Sequence, residues 1–393
     1  MIAERRSIEE RIRSAAKQIC TRCIYDAAVP SIRFDEAGVC NYCRQADMLD
    51  REYPTGAEGE ARLQKMVAEM KAAGRGRRYD ALIGVSGGCD SSYLLHRMSA
   101  YGLRLLAVHF DNTWDSTIAT ENIHNVLEKL GIDLFTIVVD NKEYDDIYRS
   151  FFKAGVKDIE APTDIGLATT MYKAAEKYGI KHMIEGHSFR TEGIAPLGWL
   201  YMDGKYIASV QKQFGSYPIK TFPNLWFTDF MRWALFSRVK KVRPLYYMDY
   251  DKEAAKKLLA DKYGWQWYGG HHLENRFTAF YHSYFLPVRW DIDFRIAGYS
   301  CYCRNGWMSR EQALELMQQP PHIEPDLVEF VKKRLGFSDA EFEALMNLPK
   351  KTYKDYPTYK HTFERLRPLF WMLYRLELVP KSFYLKYTAR DDG

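Results

Sequence analysis

Short apolar runs alternate with helical patterns through the middle of the chain. Between the runs, apolar residues recur every three to four positions, which predicts helices at about 118–130 and within 144–178. The runs themselves predict strands at 82–85, 103–110, 134–139 and 182–185. Strands that alternate with helices form parallel sheets covered on both faces. The pattern therefore predicts an α/β fold with a doubly wound, mostly parallel sheet.

The pattern differs on both sides of this region. Upstream, we predict a charged helix over 5–17, then a cysteine-bearing segment and a polar helix that ends at a Gly-Arg linker, 74–78. Downstream of residue 201 the sequence is helical and rich in aromatic residues. At 393 residues the chain exceeds the usual size of one hydrophobic core. We predict three parts, at 1–55, 56–215 and 216–393.

Composition narrows the class of protein. Hydrophobic residues make up 47% of the chain, which is typical of a packed globular protein, and no run of about 18 uncharged apolar residues occurs. The start of the sequence lacks the apolar core of a signal peptide, so we expect a cytoplasmic protein without a membrane span. The net charge of +5 is dispersed along the chain and by itself neither requires nor excludes nucleic acid; we expect no nucleic-acid partner.

The most informative segment is 86–92, Ser-Gly-Gly-Cys-Asp-Ser-Ser, which lies between a predicted strand and a predicted helix. Adjacent glycines let the backbone approach a ligand closely, and a helix start presents unpaired N–H groups with a partial positive charge. The lysine of a Walker loop is missing. We interpret this segment as a phosphate-binding loop, called the phosphate loop below. A Gly-Ser turn without a ligand is the alternative.

Four cysteines form two Cys-x-x-Cys pairs, Cys20 with Cys23 and Cys40 with Cys43, separated by 16 residues. This spacing is typical of two knuckles that hold one tetrahedral Zn²⁺ ion. Two disulfides are the alternative, which a reducing cytoplasm disfavours. We predict a structural zinc site, since four thiolates leave no open position for a catalytic water. We interpret the remaining cysteines as packing residues, namely Cys89, Cys301 and Cys303.

Polar residues follow other predicted strands. Asp111 and Asn112 come after the second strand, and Gly186 and His187 come after the fourth. Because ligands bind beyond the carboxyl ends of parallel strands, we expect these residues to line one cleft with the phosphate loop. Strand-end capping and packing are the alternatives. The segment 265–276, with two adjacent histidines and a glutamate, is interpreted as a loop that contacts substrate.

The phosphate loop resembles the pyrophosphate loop of the ATP pyrophosphatase superfamily, which cleaves ATP between the α and β phosphates and adenylates an acceptor oxygen. The resemblance implies ATP and Mg²⁺ as cofactors, with Asp90 placing Mg²⁺. We assign the ATP pyrophosphatase domain that this resemblance implies to residues 56–215. The residues implied to hold pyrophosphate are Ser86, Gly87, Gly88, Ser91 and Ser92. The strand-end positions of Asp111, Asn112 and Gly186 make them candidates for contact with the rest of the nucleotide or the acceptor.

The motifs together resemble those of the N-acetyl sugar amidotransferases of bacterial O-antigen and flagellin-sugar biosynthesis, over about residues 18–320. Besides the cysteine pairs and the phosphate loop, the matching segments are Gly-His-Ser at 186–188, Thr-Glu-Gly at 191–193, Lys-Thr-Phe-Pro at 220–223 and Gly-Gly-His-His-Leu-Glu-Asn at 269–275. Two positions depart from the family pattern: Cys89, where lysine is frequent, and Ser188, where asparagine is frequent.

This second resemblance implies that an N-acetyl group of a UDP-linked sugar becomes an acetamidine through an adenylated imidate, in lipopolysaccharide biosynthesis. Asp90 and Ser86 would be catalytic, and Lys220 and His187 would contact substrate or phosphate. An integral glutaminase would have cysteine at position 2 or a Gly-x-Cys-x-Gly elbow, whereas the chain has Ile2 and no elbow. We therefore expect ammonia from separate glutaminase and cyclase-like subunits, with 216–393 contacting substrate or partners.

Two other functions remain open at this point. A tRNA thiolation enzyme also combines zinc knuckles with a pyrophosphate loop, but it would need a catalytic cysteine pair in the cleft and a basic surface for tRNA. A zinc-bearing adaptor that senses a nucleotide without catalysis would leave the sugar-family segments unexplained.

Overall fold

Five parallel strands form the centre of the fold. The computed structural model describes residues 18–196, 198–270, 273–376 and 378–389. The strands are β1 Ala81–Gly84, β2 Leu105–Asp111, β3 Asp133–Val138, β4 His182–Ile184 and β5 Lys240–Val242. Their order in the sheet is β3-β2-β1-β4-β5, and every neighbouring pair is parallel.

Helices connect and cover these strands. Those up to β4 are α1 Asn41–Glu52, α2 Gly56–Ala73, α3 Cys89–Ala100, α4 Thr117–Leu130, α5 Asn141–Ala154 and α6 Ala161–Tyr178. Those that follow are α7 Gly204–Phe214, α8 Phe227–Arg232, α9 Lys252–Tyr263, α10 Arg276–Phe280, α11 Arg295–Arg304, α12 Arg310–Gln318, α13 Leu327–Leu335, α14 Asp339–Met346, α15 Lys360–Arg365, α16 Arg367–Arg375 and α17 Lys381–Thr388. The helix predicted over 5–17 lies outside the described residues.

Successive residues of the central strands pack on opposite sides of the sheet. Leu82 and Leu106 belong to a buried cluster with Met171 of α6. Ile83 and Ala107 belong to a different cluster, which contains apolar residues of α2, α3, α4 and α9. This alternation follows from the two-residue period of a strand. Helices thus cover both faces, which confirms the predicted doubly wound α/β fold class.

The strand order places a crevice beside β1. After β1 the chain adds β2 and then β3 on one side, and it later returns to add β4 on the other side. The loops that leave β1 and β4 therefore diverge at a topological switch point, where open α/β sheets bind ligands. The phosphate loop follows β1 and the Gly-His-Ser segment follows β4, so both lie at this crevice.

The fifth strand differs from the sequence-based expectation. The chain after residue 201 is predicted to be helical, but α8 is short and is followed by a π-helical turn, after which the chain forms β5. Two of the three residues of β5 are lysines, so a hydrophobicity pattern does not predict this strand. Lys241 forms an ion pair with Glu185 at 2.8 Å, which offsets the cost of placing a charge beside the sheet. The sheet thus continues into the part of the chain predicted to be helical.

Aromatic packing joins the later helices to the sheet region. The rings of Tyr148 on α5 and Phe277 on α10 are stacked, and Trp114 contacts both rings edge-on. These fully buried side chains belong to a cluster that also includes residues of α7, α13 and α14. No helix among the described residues combines the length and the apolar character needed to cross a bilayer.

Candidate functional site

The phosphate loop leaves β1 and enters α3 at the switch point. Gly87 has a φ of +75°, and a Cβ there would lie 2.2 Å from the carbonyl oxygen of Ala119, so only glycine fits. Gly88 is the extended N-cap of α3, and its N–H donates to Ser86 Oγ at 3.3 Å. The helix start therefore directs backbone N–H groups into the crevice, as a phosphate site requires. Of the three predicted serines, Ser92 is buried, whereas Ser86 and Ser91 are partly exposed.

Asp90 stands in the first turn of α3 and is held by two groups from a distant segment. The hydroxyl of Tyr250 donates to Oδ1, and the ammonium of Lys252 lies 2.9 Å from Oδ2. Burial raises the pKa of the Asp90 carboxyl above its ordinary value, and the charge of Lys252 opposes that rise. Carboxylate oxygens are the ligands that Mg²⁺ prefers, so Asp90 fits the predicted role.

The segment after β4 lies against the same helix start. A Cβ at Gly186 would be 3.7 Å from the backbone nitrogen of Ser91, so this glycine borders the phosphate loop. His187 Nδ1 is 2.6 Å from the carboxylate of Glu192, and the imidazole is 42% exposed. An exposed imidazole oriented by a carboxylate is suited to contact a ligand in the crevice.

Described residues of the segment 265–276 contact the phosphate loop, whereas contact of this segment with substrate stays a prediction. The indole N–H of Trp265 donates to the carbonyl oxygen of Gly87 at 2.9 Å. The hydroxyl of Ser86 donates to the carboxylate of Glu274 at 3.3 Å, and the hydroxyl of Tyr268 is equally close to the Cβ position of Gly88. The two histidines of this segment, His271 and His272, lie outside the described residues.

Asp111 and Asn112 follow β2 at the same edge of the sheet. Asn112 is 1% exposed, and its Oδ1 accepts hydrogen bonds from the backbone of Trp114 at 3.0 Å and from Nδ2 of Asn275 at 2.9 Å. These bonds match the strand-end capping that was the alternative for Asn112. Asp111 accepts from the N–H of Thr113 and stays partly exposed. Contact of either residue with a nucleotide stays a prediction.

Lys220 lies on the opposite flank, near the start of α5. The carboxylate of Glu143 accepts backbone N–H bonds at 2.8–3.0 Å from Lys220, Thr221 and Phe222. Glu143 therefore anchors the Lys-Thr-Phe-Pro segment beside β3, two strands away from β1. The Lys220 side chain is exposed, and its contact with substrate stays a prediction.

The four predicted zinc ligands form one cluster. The sulfur atoms of Cys20, Cys23, Cys40 and Cys43 all lie within 4.8 Å of one another, and every one of these residues is fully buried. The shortest sulfur–sulfur distances, 3.7 and 3.8 Å, are far too long for disulfide bonds. Four cysteine sulfur atoms at these separations fit the tetrahedral coordination of one Zn²⁺ ion.

Neighbouring groups suit a negatively charged metal–thiolate centre. The N–H of Cys40 donates to the sulfur of Cys20 at 3.2 Å, and Nε of Arg304, on α11, is 3.3 Å from the sulfur of Cys43. Four thiolates around a dication carry a net charge of −2, which the partly buried guanidinium of Arg304 partly neutralises. Cys303 packs beside this centre without contributing a ligand.

The comparisons with known proteins assign the end of the chain. Residues 274–369 match the family model of the LPS biosynthesis protein WbpG-like, C-terminal domain. This segment is similar to the C-terminal domain of WbpG-like proteins. This match confirms the family resemblance predicted from the motifs. The WbpG-like domain begins at Glu274, the residue whose carboxylate contacts Ser86, so it reaches the phosphate loop. No curated protein matches the sequence significantly.

Comparison with solved structures finds similarities of low sequence identity and low TM-score. An NMN synthetase from Francisella tularensis is 16% identical, covering 57% of this chain and 92% of its own, with a TM-score of 0.27. An NH3-dependent NAD synthetase from Campylobacter jejuni is 12% identical, covering 75% and 98%, with a TM-score of 0.30. An NAD+ synthetase from Burkholderia pseudomallei is 14% identical, covering 81% and 99%, with a TM-score of 0.29. TM-scores of this size do not establish a shared fold.

Local sequence patterns do not identify Tyr250 and Lys252 as site residues. Tyr250 lies just before α9 and Lys252 is its first residue. Lys252 contacts Asp90, which is 162 positions earlier in the chain. The one local signal is Asp251, whose carboxylate caps α9 by accepting from the N–H groups of Glu253 and Ala254. That cap fixes where α9 begins, and so it fixes the backbone position of Lys252.

If the phosphate loop cleaves ATP as its sequence predicts, replacing Lys252 by methionine is expected to shift the pH dependence of that reaction. The change removes the positive charge that opposes the raised pKa of Asp90, so that pKa rises further and the acid limb of the pH–rate profile moves to higher pH. We also expect turnover at neutral pH to fall roughly tenfold or more. A pH series of AMP formation measures both effects. Lys257→Met, an exposed position on the same helix, is the matched control, and equal profiles for the two variants would contradict this role of Lys252.

Proposed function

We propose that this protein is an ATP-dependent amidotransferase that converts the N-acetyl group of a nucleotide-linked sugar into an acetamidine. The observation that carries the proposal is the contact of the WbpG-like domain, through Glu274, with a glycine-rich loop at the switch point of a parallel sheet. The proposed phosphate site and the segment that matches the WbpG-like domain would thus share one crevice. Residues 56–215, together with β5, would bind ATP, and the later helices would bind the sugar or partner proteins.

The first step activates the amide. An amide carbon is a poor electrophile because resonance donates nitrogen electrons to the carbonyl. In the proposed step the amide oxygen attacks the α-phosphorus of ATP, the bond to the bridging oxygen breaks, and pyrophosphate leaves. The product is an O-adenylated imidate, whose oxygen is now part of a good leaving group. The N–H groups at the start of α3 and the Ser86 hydroxyl would stabilise the charge on pyrophosphate.

The second step uses ammonia. Its lone pair adds to the imidate carbon, a proton is lost, and AMP departs with the former amide oxygen, which leaves a C=N bond. His187, which is hydrogen-bonded to Glu192, would accept that proton. Bound Mg²⁺ supplies charge neutralisation on the phosphates, and Asp90 is the carboxylate that would hold it. Ammonia would come from separate glutaminase and cyclase-like subunits.

The cysteines favour this reading over tRNA thiolation. A tRNA thiolation enzyme needs a cysteine thiolate in the cleft, since the thiolate and not the thiol is the nucleophile. Burial raises the pKa of Cys89 to about 11 and that of Cys301 to about 12, so both are thiols at neutral pH. Cys301 instead donates to the backbone carbonyl of Phe189.

The test is mass spectrometry of a panel of nucleotide-linked N-acetyl sugars incubated with the protein, MgATP and ammonium. Replacing O by NH should give a product about one mass unit lighter than its substrate, together with equimolar AMP and pyrophosphate. Glutamine should not replace ammonium until partner subunits are added. ADP and orthophosphate as products, turnover with glutamine alone, or a thiolated tRNA would contradict the proposal.

A further inference from the structure

A second group of potential metal ligands lies at the end of β2, outside the cysteine centre. His109, Asp111 and Asp115 place one ligand atom each within 4.8 Å of the others. Nε2 of His109 is 3.1 Å from Oδ2 of Asp115, and the two side chains are only 12% and 13% exposed. Ligand atoms about 2.1 Å from one ion stand ~3 Å apart when adjacent and ~4.2 Å apart when opposite. The pair of His109 and Asp115 therefore has the separation of adjacent ligands, and Asp111 places a carboxylate oxygen within 4.8 Å of both.

Each of the three side chains is oriented by a group outside the cluster. Nδ1 of His109 is 2.9 Å from the carbonyl oxygen of Val85, so Nδ1 carries the proton and Nε2 faces the carboxylates. Oδ1 of Asp115 accepts from Nδ2 of Asn275 at 3.0 Å, which leaves Oδ2 toward His109. Oδ1 of Asp111 accepts from the backbone N–H of Thr113 at 2.7 Å. Metal-binding histidines and carboxylates are oriented in this way by their surroundings.

The contact between His109 and Asp115 requires a positive charge. With its proton on Nδ1, neutral imidazole presents a lone pair to Oδ2, which is shielded from solvent and accepts no hydrogen bond among the described residues. One proton on Nε2 would satisfy this pair but would leave the cluster with a net charge of −1. A dication balances both carboxylates, which matters more as the site is desolvated.

We propose that His109, Asp111 and Asp115 bind a divalent transition-metal ion. One imidazole nitrogen and two carboxylates favour Mn²⁺, Fe²⁺ or Zn²⁺ over Ca²⁺ or Mg²⁺, which prefer oxygen ligands throughout. The three side chains leave further coordination positions for water or a ligand. The site adjoins the phosphate loop, because the carbonyl that orients His109 belongs to Val85, the residue before Ser86.

The test uses Mn²⁺ and zinc-loaded protein without ATP or sugar, so its outcome is independent of the proposed function. Titration followed by electron paramagnetic resonance should show one bound Mn²⁺ per chain. Pulsed measurements should show coupling to an imidazole nitrogen. In His109→Gln that coupling should vanish and affinity should fall roughly tenfold or more, as it should in Asp115→Asn. A wild-type protein that binds no Mn²⁺, or binds it without nitrogen coupling, overturns the proposal.

Matched controls separate loss of a ligand from loss of the fold. His124→Gln and Glu121→Gln lie on the exposed face of α4 nearby and should keep wild-type affinity and nitrogen coupling. Asp111→Asn, at a partly exposed position, tests the third ligand if the other two variants fold poorly, and it should also weaken binding. Retention of full affinity by a folded His109→Gln or Asp111→Asn protein overturns the assignment.

Discussion

Replacing Asp90 by asparagine is expected to lower ATP cleavage by about two orders of magnitude or more. The carboxylate is the one acidic group in the first turn of α3, and the change removes its charge while keeping its size. Without that charge, Mg²⁺ loses its proposed protein ligand, and the electrostatic support for the departing pyrophosphate falls with it. The measurement is the rate of AMP and pyrophosphate formation at saturating sugar and ammonium.

Two further variants make the Asp90 result interpretable. Glu253→Gln neutralises an exposed acid beside Lys252 and should leave the rate within about twofold of wild type, because exposed ion pairs contribute little. Ser86→Ala should also lose most activity, since it removes a hydroxyl from the phosphate loop. Thermal melting of each variant without ligand reports the fold separately. A folded Asp90→Asn protein with wild-type turnover would refute the role of Asp90.

Loss of the cysteine centre is expected to unfold the amino-terminal module. Cys20→Ser removes one of four buried ligands, and closed zinc sites contribute on the order of 10 kcal/mol to the folding of small modules. The cysteines share a buried cluster with Trp199 and Ala297, so their loss also exposes those side chains. We expect one zinc per wild-type chain and none in the variant, measured by metal analysis, with a markedly lower melting temperature.

Cys303, which packs beside the four-cysteine centre, provides the control for this prediction. Cys303→Ser changes a half-buried cysteine that packs against the same cluster but lies outside the four ligands, and it should keep its zinc. A wild-type protein without zinc, or a variant carrying both Cys20→Ser and Cys40→Ser that retains zinc, would contradict the assignment.

Much of the fold follows from local sequence, and the exceptions have physical causes. β1 and the first four residues of β2 are apolar because both faces of the sheet are covered, so hydrophobicity alone reveals these strands. β5 is three residues long and contains two lysines, one of which is stabilised by Glu185 after β4. That stabilisation comes from a partner 56 positions away and leaves no local pattern.

The candidate site likewise contains residues that local sequence predicts and residues that only the structure reveals. The phosphate loop and the cysteine pairs are readable because each is a short motif whose chemistry depends on spacing along the chain. Tyr250 and Lys252 reach Asp90 only through the packing of α9 against α3, so their role required the structure. Asn112 looks like a ligand-binding residue in sequence, yet its amide oxygen is used twice inside the protein.

The central claim is that ATP activates the amide oxygen of the sugar, and an isotope label tests it most directly. A substrate carrying ¹⁸O in its N-acetyl carbonyl would be incubated with the protein, MgATP and ammonium, and the AMP would be weighed by mass spectrometry. The proposed adenylated imidate transfers that oxygen to phosphorus, so AMP should be about two mass units heavier. Unlabelled AMP formed together with an acetamidine product, or label appearing in orthophosphate with ADP as the nucleotide product, would contradict the account.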